Sequence, residues 1–243
     1  MAFIERPPVT LYLVRHGQSM GNIDQSLYRT QADHAIELTA LGQQQADEAG
    51  QFLRQELQGQ QATVLRSPYK RVRQTEEAIY QNISAQVTER VEMVEMVEQQ
   101  LGVFHGVPNE ERAQYFPHEY ERYQLQNSFA GQFWARPPQG ESPYDVYNRS
   151  GIIAGHIEKA YARNGTGRFV LVAHGYWIHC FIMNWCNLPY EYFRRDGYIN
   201  NAEIFKLTGS EQNGVIFSPA LPTAEKPHAP TADNADKNNG EAA

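Results

Sequence analysis

Three short apolar runs break off into polar residues of the kind that do chemistry, and this repetition constrains the fold more than any other feature of the chain. Residues 9–14, Val-Thr-Leu-Tyr-Leu-Val, lead into Arg15-His16-Gly17. Residues 62–66, Ala-Thr-Val-Leu-Arg, lead into Ser67 and, a few positions on, Arg71. Residues 168–173, Arg-Phe-Val-Leu-Val-Ala, lead into His174-Gly175. Runs of this length and β-branched content read as buried strands. Helical stretches follow. Thr39 is placed as an N-cap before Leu41, Ala49, Phe52, Leu53 and Leu57, which make a rough apolar stripe. Ser67-Pro68 opens a second helix with proline near its first turn. A third runs from Gly175 to about residue 187.

Strands alternating with helices form βαβ units, hence an α/β fold with a mainly parallel sheet. Ligands of such sheets bind outside the carboxyl ends of the strands. The topology therefore gathers Arg15-His16, the Ser67–Arg71 segment and His174 on one edge of the sheet.

A chain of 243 residues can fill one large α/β domain without disulfide or metal support. We expect that domain to span residues 1–218. Residues 103–142 differ in character: they hold Phe104, His105, Tyr115, Phe116, Tyr120, Tyr123, Phe129, Phe133 and Trp134. This stretch reads as a helical and loop insertion over the site, although its aromatic residues also suit an ordinary packed core. Residues 219–243 carry four prolines and no aromatic residue, which predicts a disordered tail. The N-terminus lacks the shape of a signal peptide, and no apolar run approaches the ~20 residues of a membrane helix. Cys180 and Cys186 on one helix stand ~9 Å apart, too far for a disulfide. These features point to a reducing, cytoplasmic compartment without a membrane partner. The net charge of −7 argues against a nucleic-acid partner but not against small anionic substrates, since a few arginines can dominate a concave site. Oligomeric state is not legible.

His16 beside Arg15 at a strand end suits attack on phosphorus. Neutral imidazole is a good nucleophile, and arginine binds phosphoryl oxygens through paired hydrogen bonds. Taken alone, a solvated loop histidine is the simpler reading. Arg71 sits near a helix N-terminus, where a cation is unfavourable, so an anion is expected between it and the helix end. A solvent-facing basic helix is the plain alternative. His174, taken alone, is a satisfied core histidine.

In sequence order, Arg15-His16-Gly17-Gln18-Ser19-x-x-Asn22, Leu38-Thr39-x-x-Gly42, Ser67-x-x-x-Arg71-x-x-Gln74-Thr75, Glu98-x-x-x-Gly102-x-x-x-Gly106, Gly140-Glu141-Ser142 with Asp145 and Arg149, Val172-Ala173-His174-Gly175 and Asn201-Ala202-Glu203-Ile204 form a set. That set resembles the histidine phosphatase superfamily, which includes the phosphoglycerate mutases, from about residue 9 to 208. The resemblance implies a three-layer α/β/α sandwich acting on a small phosphorylated substrate with no cofactor or metal. It implies phosphohistidine formation on His16, oxygen binding by Arg15, Arg71 and His174, and a pocket-wall hydrogen bond from Asn22. Glu98 becomes the general acid and base, for which burial must raise its pKa against the positive pocket. Glu92, Glu95 and Glu98 recur every three residues, and only the spacing to Gly102 and Gly106 selects Glu98. Two departures are visible. Val72 replaces a usual alanine, and His179 stands where the family often has arginine. Arg194 and Arg195 read as surface residues.

Phosphatase activity is the function expected. A phosphomutase uses the same residues, but the insertion here is shorter than in the glycolytic mutases. A non-catalytic binding protein on this fold is a third reading. Gly17-Gln18-Ser19-Met20-Gly21 also fits the serine-hydrolase elbow, yet only one strand precedes it. A metal hydrolase is disfavoured by the absence of HExxH and CxxC spacings among eight histidines and two cysteines.

Overall fold

The computed structural model describes residues 6–194 and 199–219. The expected tail, apart from Pro219, lies outside the described residues, as do Arg195 and the side chain of Arg194. The described chain contains a six-stranded mixed sheet: β1 (Thr10–Arg15), β2 (Ala62–Arg66), β3 (Val87–Glu92), β4 (Arg168–Ala173), β5 (Ile204–Thr208) and β6 (Glu211–Phe217). Their spatial order is β3-β2-β4-β1-β5-β6. Strands β1 to β4 run parallel, and β5 and β6 close one edge by antiparallel pairing. The α/β class and mainly parallel sheet expected from the sequence are those found.

Helices α1 (Met20–Ile23), α2 (Leu27–Thr30), α3 (Ala40–Leu57), α4 (Lys70–Ile83), α5 (Asn109–Tyr115), α6 (Pro117–Ala130), α7 (Pro143–Asn164) and α8 (Gly175–Trp185) complete the fold. Alternation along the strands divides the core in two. Leu11, Leu13, Phe169, Leu171 and Ala173 pack against Val146, Ile153 and Ile157 of α7 and Trp177, Ile178 and Phe181 of α8. Tyr12, Val14, Val64, Val170 and Val172 pack against Leu53 and Leu57 of α3 and Val72, Ile79 and Ile83 of α4. Each fully buried Leu, Ile or Val contributes roughly 1.5–3 kcal/mol relative to exposure. Two buried faces explain why the central strands read as continuous apolar runs.

Thr39 caps α3, its hydroxyl accepting from Gly42 N–H at 3.0 Å. The second expected helix start is corrected. Tyr69, in extended conformation, is the N-cap, α4 begins at Lys70, and Pro68 lies before the helix. The chain leaving β2 bends at Pro68 and Tyr69, and Arg71 falls in the first turn of α4.

The 103–142 stretch is divided between packed and exposed aromatic residues. Phe104 is fully buried and meets Phe116, Tyr120 and Tyr123 edge-on. Phe133 is also buried, whereas Tyr115, Phe129 and Trp134 are exposed, and α5 and α6 bury no residue. Cys180 and Cys186 are free thiols. No helix among the described residues is long and apolar enough to cross a membrane.

Candidate active site

Strand order decides which side chains meet. Strand β4 lies between β1 and β2, so His174 at its carboxyl end falls between His16 and Ser67. Ladder bonds extend past the strands: His16 N–H donates to Ala173 O at 3.0 Å and Ser67 N–H to Val172 O at 3.2 Å. The imidazoles of His16 and His174 stand edge to face, with ring centroids 5.3 Å apart.

Arg71, Arg15, His16 and His174 are all buried. Arg71 donates from Nε to His16 Nε2 and from one terminal nitrogen to His174 Nδ1, both at 3.3 Å. Its other terminal nitrogen donates to Asp33 Oδ1 at 2.7 Å and Asp33 O at 2.8 Å. Asp33, a residue sequence reasoning missed, thus pairs with the Arg71 guanidinium and leaves its other two nitrogens turned to the histidines. Asp33 sits on a single 3₁₀ turn, Asp33–Ala35, with no pattern marking it before the chain folds. Arg15 donates to Ile199 O at 2.9 Å and packs against Gly175.

These contacts set the tautomers. His16 Nδ1 lies 2.7 Å from Gly17 O, and a carbonyl only accepts, so Nδ1 carries the proton and Nε2 the lone pair. His174 Nδ1 accepts from Arg71, so Nε2 carries its proton and donates to Ser67 Oγ at 3.0 Å. Burial first, then Arg71 and the other neighbouring charges, hold both histidines well below the usual imidazole pKa. Both rings are neutral near pH 7.

Glu98 approaches this cluster from a loop, close enough for Arg71 and Arg15 to act on its carboxyl. Its Oε1 accepts from Gln99 N–H at 3.1 Å and from Trp177 N–H, in the first turn of α8, at 3.3 Å. Burial raises its pKa and outweighs the lowering by the Gln99 bond, Arg71 and Arg15, with Asp33 adding to the rise. The opposition expected from the sequence is resolved upward. Glu92 instead turns to Arg73 and Arg66, which hold its carboxyl below its ordinary pKa.

The Glu98 loop is clamped from behind. Arg149 on α7 pairs in bidentate fashion with Glu141 at 2.8 and 3.0 Å. It also donates to Glu95 O at 2.7 Å and Glu98 O at 3.2 Å. Glu141 accepts from Gln100 N–H at 3.1 Å, and Trp177 Nε1–H donates to Glu95 O at 2.7 Å. Gly102, at φ 56°, passes so close to Pro138 O that a side chain there would collide with it.

Other motif residues brace the His16 loop. Gly17 and Gly42 pack backbone to backbone, and a Cβ on either would overlap main-chain atoms of Gly42 or Gln18. Thr75 Oγ accepts from Gly17 N–H at 3.1 Å, and Gln74 Oε1 from Leu38 N–H at 2.8 Å. Asn22 Oδ1 accepts from Ser19 N–H and Oγ–H and from Asn201 Nδ2, which leaves the amide's N–H groups as its remaining donors. His179 lies apart from this set, stacked on Tyr192 at 5.3 Å and edge-on to Phe193, and burial lowers its pKa. It supplies no cation in place of the family's usual arginine. No group of three or more His, Cys, Asp or Glu side chains among the described residues is arranged to hold a metal ion.

Two neutral histidines, two buried arginines and a half-buried carboxyl thus meet at the carboxyl edge of an α/β sheet. The model of the histidine phosphatase superfamily (branch 1) matches residues 11–219, and the chain belongs to that family. Phosphoglycerate mutase-like protein AT74 of Arabidopsis thaliana is 32% identical over 215 residues, covering 81% of this chain and 64% of that protein. The related AT74H is 31% identical, covering 81% of this chain and 72% of that protein. Among solved structures, mycobacterial glucosyl-3-phosphoglycerate phosphatase shares the fold with TM-score 0.63 and 24% identity, over 82% of this chain and 89% of that one. A putative α-ribazole-5′-phosphate phosphatase from Escherichia coli shares it with TM-score 0.67 and 18% identity, over 90% of this chain and all of that one.

Proposed function

We propose that this chain is a phosphatase that hydrolyses a phosphate monoester through a phosphohistidine on His16. The observation that carries the reading is the arrangement around His16 Nε2: Nδ1 is tied to Gly17 O, so the lone pair lies on Nε2, where it accepts from Arg71 Nε until a phosphoryl group takes that N–H. In the first step Nε2 attacks phosphorus and the P–O bond to the leaving group breaks. Arg71 and Arg15 neutralise charge on the phosphoryl oxygens, with Nε and one terminal nitrogen of Arg71 forming a two-pronged edge. An Asn22 amide N–H adds a wall contact. Once a phosphoryl oxygen takes the Arg71 hydrogen bond, His174 Nδ1 loses its donor, and Ser67 Oγ, which can donate as well as accept, holds the other tautomer, in which Nδ1 carries the proton and donates to an oxygen.

The neutral carboxyl of Glu98 gives its proton to the departing alkoxide. The resulting carboxylate then takes a proton from water as that water's oxygen attacks phosphorus, the P–N bond breaks, and inorganic phosphate leaves with His16 restored. Every step uses side chains and water, so the reaction is independent of metal. The free cysteines fit a reducing compartment, and we assign the reaction to the cytoplasm.

The test is a rapid-quench experiment with p-nitrophenyl phosphate. Acid-labile phosphate on His16 and release of inorganic phosphate are expected. Full activity of His16→Ala would overturn the mechanism. Return of the phosphoryl group to an organic acceptor in place of phosphate release would establish a mutase.

A further inference from the structure

Beside the phosphoryl-binding groups lies a second set of polar atoms that the reaction above does not use. Asp33 gives Oδ1 to Arg71, while its Oδ2 lies 3.9 Å from His105 Nε2. That nitrogen is buried and has no hydrogen-bond partner among the described residues. The separation is too long for a direct bond and short enough for one small group to bond both atoms. The Tyr28 ring meets the His105 ring edge to face at 5.1 Å. Tyr69 lies on the same side, under Arg71 and against His174. Arg29, next along this wall, is bound to Gly106 O and Glu111, so its charge is matched. Buried polar atoms seldom go without partners, so this pair marks a place where a ligand atom belongs.

The chemistry of the pair selects that atom. A hydroxyl both donates and accepts, so it can donate to Asp33 Oδ2 and accept from His105 Nε2–H. A carboxylate only accepts, and the charge of Asp33 repels it. We propose that Asp33 and His105 form a leaving-group subsite for a substrate hydroxyl. The enzyme then acts on hydroxylated esters, the sugar and polyol phosphates, and discriminates against leaving groups that carry a carboxylate. This rests on the phosphatase reading above and narrows it to a substrate class.

A matched series tests it. Glycerol 1-phosphate, propyl phosphate and 3-phosphoglycerate share a three-carbon leaving group and differ in hydroxyl and carboxylate content. Relative kcat/KM values are measured for the full chain and for Asp33→Asn and His105→Phe. Ratios within one preparation cancel any loss of folded protein and any general effect of Asp33 on Arg71. The unaltered chain is expected to prefer glycerol 1-phosphate over each of the others at least tenfold. His105→Phe is expected to bring glycerol and propyl phosphate within about threefold of each other, and Asp33→Asn to narrow the gap to 3-phosphoglycerate about tenfold. Equal rates on glycerol and propyl phosphate in the unaltered chain, a preference for 3-phosphoglycerate, or ratios unmoved in both variants overturn the subsite. If p-nitrophenyl phosphate is turned over while the ratios fail, the phosphatase reading stands and the subsite alone falls. If no monoester is hydrolysed, both fall.

Discussion

The His16 and His174 rings stand edge to face with 5.3 Å between centroids, and Arg71 donates a hydrogen bond to a nitrogen of each. Residues from opposite ends of the chain thus share one guanidinium. His16→Ala is expected to abolish phosphoenzyme formation and lower kcat by at least about 10⁴-fold, as loss of a nucleophile does. His174→Asn is expected to lower kcat about 10²–10³-fold while phosphohistidine still forms slowly, the usual cost of one oxyanion donor. Rapid quench separates the two. A His174→Asn protein that labels and turns over normally would make that ring a packing residue.

Under the proposed mechanism Glu98 is needed in proportion to how poor the leaving group is. Glu98→Gln is expected to lower kcat/KM for alkyl phosphates about 10²–10⁴-fold. The loss for p-nitrophenyl phosphate is expected to be much smaller in the first step, because nitrophenolate departs without a proton. Phosphoenzyme then accumulates, since water has lost its base. A uniform loss across leaving groups would remove the acid role. The pH profile carries a second sign. The proposed mechanism needs Glu98 protonated and His16 neutral, so activity is expected to decline as pH rises through the elevated Glu98 pKa and to persist on the acid side until His16 takes up a proton.

Glu141 and Arg149 touch the Glu98 loop rather than the His16 cluster, so under the proposed mechanism they act on the chemistry at one remove. Glu141→Gln breaks a half-buried bidentate pair and is expected to cost about 1–3 kcal/mol of stability. It is also expected to lower kcat for alkyl phosphates about tenfold with little change in KM, and to spare p-nitrophenyl phosphate. Equal losses on both substrates would reduce the clamp to a purely structural device.

His179 is buried against Tyr192 and Phe193, and its Nε2 has no hydrogen-bond partner among the described residues. Its folded pKa lies below the ordinary 6.5, so below that pH the unfolded chain binds a proton that the folded chain refuses. Stability is therefore full above about pH 6.5 and lost as pH falls towards the folded pKa, at up to about 1.4 kcal/mol per pH unit for each such histidine. His179→Phe is expected to flatten the slope of unfolding free energy between pH 6.5 and 5 without changing kcat at pH 7. Chemical denaturation across that range measures it, and an unchanged slope would contradict the assignment.

Gly42→Ala drives a methyl group into Gln18 O. The loop carrying His16 must shift, so a loss of about 1–3 kcal/mol together with reduced kcat is expected. Thermal melts and p-nitrophenyl phosphate kinetics read both.

The parts of the site that were legible share a cause. Each of His16, Arg71 and His174 follows a strand buried on both faces, and such strands announce themselves as apolar runs. Strand β3, Val-Thr-Glu-Arg-Val-Glu, was not recognised because an edge strand with exposed charges has no such run. Asp33 was missed because a 3₁₀ turn of three residues has no period to read. The clamp was half legible: Gly140-Glu141-Ser142 and Arg149 stood out, but nothing in their spacing showed that Arg149 grips the backbone of Glu98.

By itself the sequence determined the α/β class, the shared edge for three polar clusters, and the family. Hydrophobic period and the geometry of parallel strands suffice for the first two, and an ordered set of motifs for the third. Only the tertiary structure decided which ring nitrogen of His16 carries the lone pair, that Glu98 is held with a raised pKa, and that Asp33 meets Arg71. Those outcomes depend on distances of a few ångströms and on how much water each group loses, and both arise from packing between segments far apart in the chain.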